Sequence, residues 1–234
     1  MHPYLISLKS LFEQHADPTQ AGPMAAYMRN QFPYLGIKMP QSALLLKSFY
    51  NEHGLPALTE LDPILRGLWA LPEREFQYVA VGLLGKLEKK LDADFIKTLE
   101  YLLITKSWWD TVDTVAGGTV GHHFQRYPTL LDKYLPRWRN SENIWLRRTT
   151  ILFQLGYKKD TNFPLLCAII QDNLGSKEFF INKAIGWALR QYSRIDAQAV
   201  RAFVAQTALH PLSAREALKW LEKRKPINLL DDYA

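Results

Sequence analysis

Helix-opening residues recur along this chain at a nearly constant interval, and the interval restricts the folds available to it. Pro72, Ser107, Ser141, Ser176 and Ser213 each open an apolar-periodic segment, at successive spacings of 35, 34, 35 and 37 residues. The likeness extends to residue type. Asn143-Ile144-Trp145-Leu146-Arg147-Arg148 aligns with Glu178-Phe179-Phe180-Ile181-Asn182-Lys183, which pairs Trp145 with Phe180 and Arg148 with Lys183. Glu75-Phe76-Gln77-Tyr78 keeps an aromatic at the corresponding place. A helix pair repeating at this period buries its apolar faces only by stacking on its neighbours. The pattern predicts an all-α fold, an α-solenoid in one domain over 1–234 with a concave face.

The rest of the chain is compatible with that architecture. Helical spacing of apolar residues predicts helices over 2–16, 23–32, 40–53, 59–71, 72–91, 92–105 and 107–115. Further helices are predicted over 122–127, 129–137, 141–157, 163–174, 176–194, 196–210 and 213–224. Ser107 reads as an N-cap with Asp110 as its capping partner. Gly117, Gly118 and Gly121 predict a short, flexible break before His122. No run alternates in the manner of a strand.

Composition narrows the function classes. Hydrophobic residues make up 47% of the chain, enough for a packed core, and the formal net charge of +6 points to an anionic partner. Nucleic acid comes first and a membrane surface second. No apolar run approaches membrane-spanning length, and Met1 to Ser10 lacks a signal-peptide layout, so the expected compartment is the cytoplasm. The single cysteine, Cys167, sits in an apolar run, cannot form a disulfide within the chain, and reads as a buried inert thiol. Gly117-Gly118 lacks the Lys-Ser/Thr of a phosphate-cradling loop. His122 and His123 are adjacent rather than at i and i+4, so they do not share a helix face as metal ligands would. The expectation is no metal and no cofactor.

One stretch concentrates chemistry: Lys106-Ser107-Trp108-Trp109-Asp110-Thr111-Val112-Asp113. Trp109 and Asp113 are i and i+4 on one helical face, an aromatic surface beside a carboxylate. That pairing suits a cationic group, and it equally suits an amphipathic helix with a half-buried Trp. Trp108, about 100° round the helix, is the expected core residue of the pair. Trp109, Arg148 and Trp187 are spaced by 39 and 39 residues, which a twisted solenoid could align along a diagonal of its concave face. Taken singly, Trp187 reads as core, Arg148 as part of a solvated face and Asp113 as a surface carboxylate or cap.

These segments resemble the AlkD-like DNA alkylation repair glycosylases. The Ser-Trp-Trp-Asp-x-Val-Asp motif is the specific element. Asn143 to Arg148, Lys177 to Trp187, Pro23 to Met28 and Leu71 to Gln77 support it, so that the resemblance covers nearly the whole chain. It implies HEAT-like repeats that cradle duplex DNA in a basic concave groove, and excision of positively charged alkylated purines such as 3-methyladenine and 7-methylguanine without base flipping. The implied catalytic trio falls on Trp109, Asp113 and Trp187, with Arg148 contacting DNA beside them. Further DNA contacts are expected from Tyr27, Lys106, Lys183 and Arg190. The expected protein is a monomer acting on double-stranded DNA. A non-catalytic DNA-binding helical-repeat protein is the alternative; a scaffold for other proteins would more often be acidic or neutral.

Overall fold

A computed structural model describes residues 2–223. All regular structure among them is helical. The helices are α1 (Pro3–Gln14), α2 (Pro18–Tyr27), α3 (Met39–His53), α4 (Leu58–Ala70), α5 (Arg74–Leu87), α6 (Ile96–Ile104) and α7 (Trp109–Val115). They continue with α8 (Gly121–Arg126), α9 (Pro128–Arg139), α10 (Ile144–Leu152), α11 (Phe163–Asp172), α12 (Phe179–Tyr192), α13 (Ala197–Gln206) and α14 (Pro211–Glu222). The arrangement is α-solenoid-like. The starts of α5, α7, α10 and α12 fall 35 residues apart, and α14 follows after 32. The described residues fall into two compact units, one up to Val115 and one from Ala116. No helix of the described residues is long and apolar enough to cross a membrane.

Local chemistry sets the helix boundaries. The Asp17 side chain accepts from Thr19 N at the start of α2, Asn143 from Trp145 N and Leu146 N at α10, and Asp196 from Ala199 N at α13. Each satisfies amide donors that the first turn leaves unpaired. Pro3, Pro18, Pro128 and Pro211 occupy first-turn positions, where the missing N–H costs nothing.

In the first unit, α4 and α5 contribute the largest apolar faces, with Leu61, Ile64, Leu65, Leu68, Phe76, Leu83 and Leu84 fully enclosed. Bonds between successive repeats join residues about one period apart. Trp69 Nε1 donates to Thr105 O at 2.7 Å, and Thr98 Oγ1 donates to Asp62 Oδ1. Several predicted helices are displaced or shorter: the one expected over 23–32 is α2, five residues earlier, because the Asp17 cap and Pro18 start it, and those expected over 141–157 and 196–210 end at Leu152 and Gln206. The 72–91 segment ends as α-helix at Leu87 and closes with a 3-10 turn, and 92–105 opens with a 3-10 turn over Ala93–Phe95 before α6.

The Ser107 cap is corrected. Helix α7 starts at Trp109; Ser107 Oγ donates back to Leu103 O at 2.6 Å, and Asp110 serves Arg74 instead. A carboxylate beside a buried guanidinium gains more from the ion pair than from a solvated amide.

In the second unit the expected glycine break is a π-helical turn, Ala116–Val120, followed directly by α8. Close approach rather than flexibility explains Gly121. A Cβ on Gly121 would lie 2.3 Å from Phe153 O, and Tyr157 Oη donates to Gly121 O at 2.6 Å. The aligned pair Trp145 and Phe180 meets ring to ring at 5.1 Å, equivalent residues of adjacent repeats packing on each other.

Helix α12 lies against α14 with very little space between them. A Cβ on Gly186 would fall 2.5 Å from Glu216 Cβ and 2.9 Å from Ser213 O. Ser213 Oγ donates to Asn182 O at 2.9 Å and holds the same seam. Gly186→Ala is expected to destabilise the protein by about 1–3 kcal/mol, the cost of overpacking. The denaturant midpoint measures it, and an unchanged midpoint counts against this packing.

Candidate functional site

The first unit carries Tyr27, Lys106, Trp109 and Asp113; the second carries Arg148, Lys183, Trp187 and Arg190. In the first unit everything at the start of α7 depends on Arg74, whose side chain is 0% exposed. Its Nε donates to Asp110 Oδ2 at 2.9 Å and its Nη2 to Asp110 Oδ1 at 2.6 Å, a bidentate pair. Nη1 donates to Lys106 O at 2.9 Å and Nη2 also reaches Thr111 Oγ1 at 2.8 Å. The guanidinium lies 3.9 Å from the centre of the Phe32 ring. Four hydrogen bonds thus satisfy the guanidinium, which is how a buried charge is tolerated.

The next residue, Glu75, ties down the N-terminal region. Its carboxylate accepts from Leu35 N, Gly36 N and Ile37 N at 2.9–3.1 Å. Gly36 is required there: φ is +91°, and a Cβ would lie 2.0 Å from Asp17 O. Arg74 and Glu75 therefore fix, respectively, the helix that bears Trp109 and the loop that leads into α3.

Tyr78 Oη donates to Asp110 Oδ2 at 2.8 Å, and the Tyr34 and Tyr78 hydroxyls are 2.8 Å apart. With Tyr78's proton committed to Asp110, Tyr34 is the donor between the two. Burial pushes the Tyr34 phenol up to about 12, and burial followed by the Asp110 charge raises Tyr78 further, so both remain protonated donors at neutral pH.

Trp109 is half-buried, and the ring of Tyr27, 73% exposed, meets it edge-on at 6.3 Å between centres. Asp113, also half-buried, is one turn further along the same face of α7. The structure thus brings Tyr27, Trp109 and Asp113 to one part of the first unit. Trp108 is half-buried like its neighbour, so the expected division of the pair into core and surface is corrected: it falls short of full enclosure.

The expected DNA cations are placed differently from the sequence-based reading. Lys106, at φ +47°, donates from Nζ to Ala70 O at 3.1 Å and Leu71 O at 2.6 Å, capping the end of α4. Burial, aided by the Arg74 charge, pushes its ammonium below the ordinary value. Arg148 is only 4% exposed, and its Nη1 donates to Phe180 O, tying α10 to α12. Lys183 Nζ and Arg190 Nη1 converge on the Glu216 carboxylate at 3.0 and 2.6 Å. Burial pushes that carboxyl up, but the bonds from Lys183 and Arg190 and the charges of Lys183 and Lys219 outweigh it and lower the group from its ordinary value. Trp187 is half-buried on α12, between Gly186 and Ala188.

Sequence reasoning missed Arg74, the anchor of the site. Its signal was available in the spacing: Arg74 and Asp110 lie 36 residues apart, about one repeat, as an ion-pairable couple. The structure-based register also places Tyr78, Asp113, Arg148 and Lys183 at the fifth position of α5, α7, α10 and α12, at a constant interval of 35 residues. Among the described residues no group of three His, Cys, Asp or Glu is placed to hold a metal ion. Cys167 is half-buried rather than fully enclosed, and burial pushes its thiol up to about 11, away from nucleophilic use.

The family described as DNA alkylation repair enzyme matches residues 8–221. The chain belongs to that family. A predicted DNA alkylation repair enzyme from Enterococcus faecalis has a similar structure, with a TM-score of 0.82 and 33% identity over 89% of this chain and 97% of that one. No curated protein matches the chain.

Proposed function

We propose that this family member is a monofunctional DNA glycosylase that hydrolyses the N-glycosidic bond of positively charged alkylated purines, such as 3-methyladenine and 7-methylguanine, in duplex DNA, without base flipping. The observation that carries the reading is the pairing of Trp109 with Asp113 on one face of α7, with the exposed Tyr27 ring against Trp109. An N3- or N7-alkylated purine carries a positive charge, so its glycosidic bond is already weakened. As the base departs, cationic character develops on the deoxyribose. Asp113 stabilises that charge and orients the attacking water. This is the electrostatic part of glycoside hydrolysis, and the pre-activated leaving group removes the need for a strong general acid. The indole face of Trp109 attracts the cationic nucleotide by about 0.5–2 kcal/mol. Tyr27 adds its hydroxyl-bearing ring at the exposed edge.

Such a site selects by charge. The purified protein is expected to release 3-methyladenine and 7-methylguanine from methylated duplex DNA, and to leave the neutral base uracil in place. Release of the bases is measured by mass spectrometry; efficient uracil release would sink the charge-based mechanism, and binding of DNA with no release from any substrate would favour the non-catalytic alternative.

Within the same reading, Lys183 and Arg190 reach DNA phosphates only in competition with Glu216. Glu216→Gln is therefore expected to tighten binding to undamaged duplex and to steepen the dependence of log Kobs on log salt by about 1–2, the contribution of one or two freed cations. A salt titration by fluorescence anisotropy reads the slope. An unchanged slope places both cations away from the DNA.

A further inference from the structure

A cleft of about 470 Å³ opens in the first unit between α2, the loop leading to α3, α5 and α7, within the range of about 300–1,000 Å³ typical of small-ligand sites. Its wall is unusual in composition. The chain has 4 methionines; Met24, Met28 and Met39 all line this cleft, and the remaining one is Met1. Met39 is 66% exposed, and Tyr27, 73% exposed, stands at the same wall. Methionine side chains are unbranched and polarizable, adapt to flat or irregular ligands, and make favourable contacts with aromatic rings.

We propose that this cleft receives the purine base after it has left the sugar. The proposal rests on the glycosylase reading above and assigns the ligand as a flat, neutral, aromatic heterocycle.

Helix α7 supplies the geometry. Trp109 and Asp113 share one face, while Asp110 and Thr114, each one residue on and so about 100° round the helix, line the cleft. The reacting face and the cleft are therefore adjacent faces of one helix. Tyr27 belongs to both, touching Trp109 with its ring and lining the cleft.

The electrostatics select the departed base over the substrate. When the glycosidic bond breaks, its electron pair leaves with the purine, which becomes neutral. Water adds its oxygen to the sugar carbon and releases a proton to the solvent. Asp110 is the one carboxylate in the cleft lining, and both its oxygens are committed, to Arg74 and to Tyr78. Lys38, exposed at the cleft, disfavours a cation. The Tyr34 hydroxyl donates to Tyr78 and keeps acceptor capacity for a ring N–H or an exocyclic amine. The cleft offers an apolar, sulfur-rich surface with a few polar points, suited to a neutral base.

The test uses the full chain labelled with carbon-13 at the methionine methyl groups and titrated with free 3-methyladenine in the absence of DNA. The resonances of Met24, Met28 and Met39 are expected to move together and saturate while Met1 stays still. Met39→Ala is expected to weaken this binding by about 2- to 10-fold, the range of a sulfur–aromatic contact. Product inhibition by free 3-methyladenine weakens in parallel, and single-turnover release from methylated duplex is unchanged. The nucleoside 7-methylguanosine, which retains the cation, is expected to shift the same resonances less at equal concentration. Absence of a saturable shift, binding indifferent to Met39→Ala, or tighter binding of the cationic nucleoside overturns the assignment. Base release by a protein whose methionines ignore the free base overturns the cleft assignment alone. Base binding by a protein that releases nothing overturns the glycosylase reading and the origin of the ligand together.

Discussion

Replacing Asp113 by Asn is expected to lower single-turnover release of 3-methyladenine from methylated duplex DNA by about 10²–10³-fold while leaving DNA affinity within about twofold. The magnitude is that of removing one preorganised group aimed at charge developing in the transition state. The amide is nearly isosteric with the carboxylate, so the variant keeps the side chain's volume while removing its negative charge. Trp109, one turn earlier, stays in place because its helix start is fixed by Arg74 and Asp110 rather than by Asp113. A drop in release with intact binding thus isolates the chemical step. Full activity in the variant removes Asp113 from the mechanism, and a parallel loss of binding makes it a docking residue instead.

The second large effect concerns the anchor. Arg74→Ala leaves the Asp110 carboxylate, 7% exposed, with the Tyr78 hydroxyl but without its cationic partner. Breaking a buried pair from one side costs about 3–5 kcal/mol, so the thermal midpoint is expected to fall by about 10 °C. Arg74→Lys does not rescue it, because an ammonium cannot meet Asp110, Lys106 O and Thr111 in one plane. The double variant Arg74→Met with Asp110→Leu is expected to be more stable than Arg74→Ala, since it removes both charges together. A double variant as unstable as the single one shows that packing around Phe32, rather than the unpaired carboxylate, sets the cost.

The repeat was legible because it rests on spacing and residue type, which folding preserves. The five repeat openings read from the sequence and the observed starts differ by only two or three residues, and the aligned pair Trp145 and Phe180 meets in space. The i, i+4 relation of Trp109 and Asp113 was legible for the same reason. Partner choice was not. Ser107, Asp110 and Lys106 offered plausible local roles, as cap, capping partner and phosphate contact. The buried Arg74 guanidinium one repeat earlier took Asp110, the carbonyls at the end of α4 took Lys106, and Leu103 O took Ser107. Charge alone likewise does not tell a free cation from one already matched, as Lys183 and Arg190 show on Glu216. The glycines at 117, 118 and 121 read as flexible because sequence shows what a residue permits; the close approach to Phe153 that requires Gly121 is visible only in three dimensions.

From α4 onward, the side-chain bonds described above link residues no more than about one repeat apart: Arg74 to Asp110, Trp69 to Thr105, Arg148 to Phe180, Ser213 to Asn182. Such a chain stores its stability as a row of nearest-neighbour couplings, with little of it invested in long sequence separations. A defect in one link is felt by the adjacent repeat and fades beyond it, so substitutions several repeats apart add their costs independently. For a lineage carrying this architecture, one end can be remodelled for a new ligand while the other accumulates its own changes, each paced by its immediate neighbours alone.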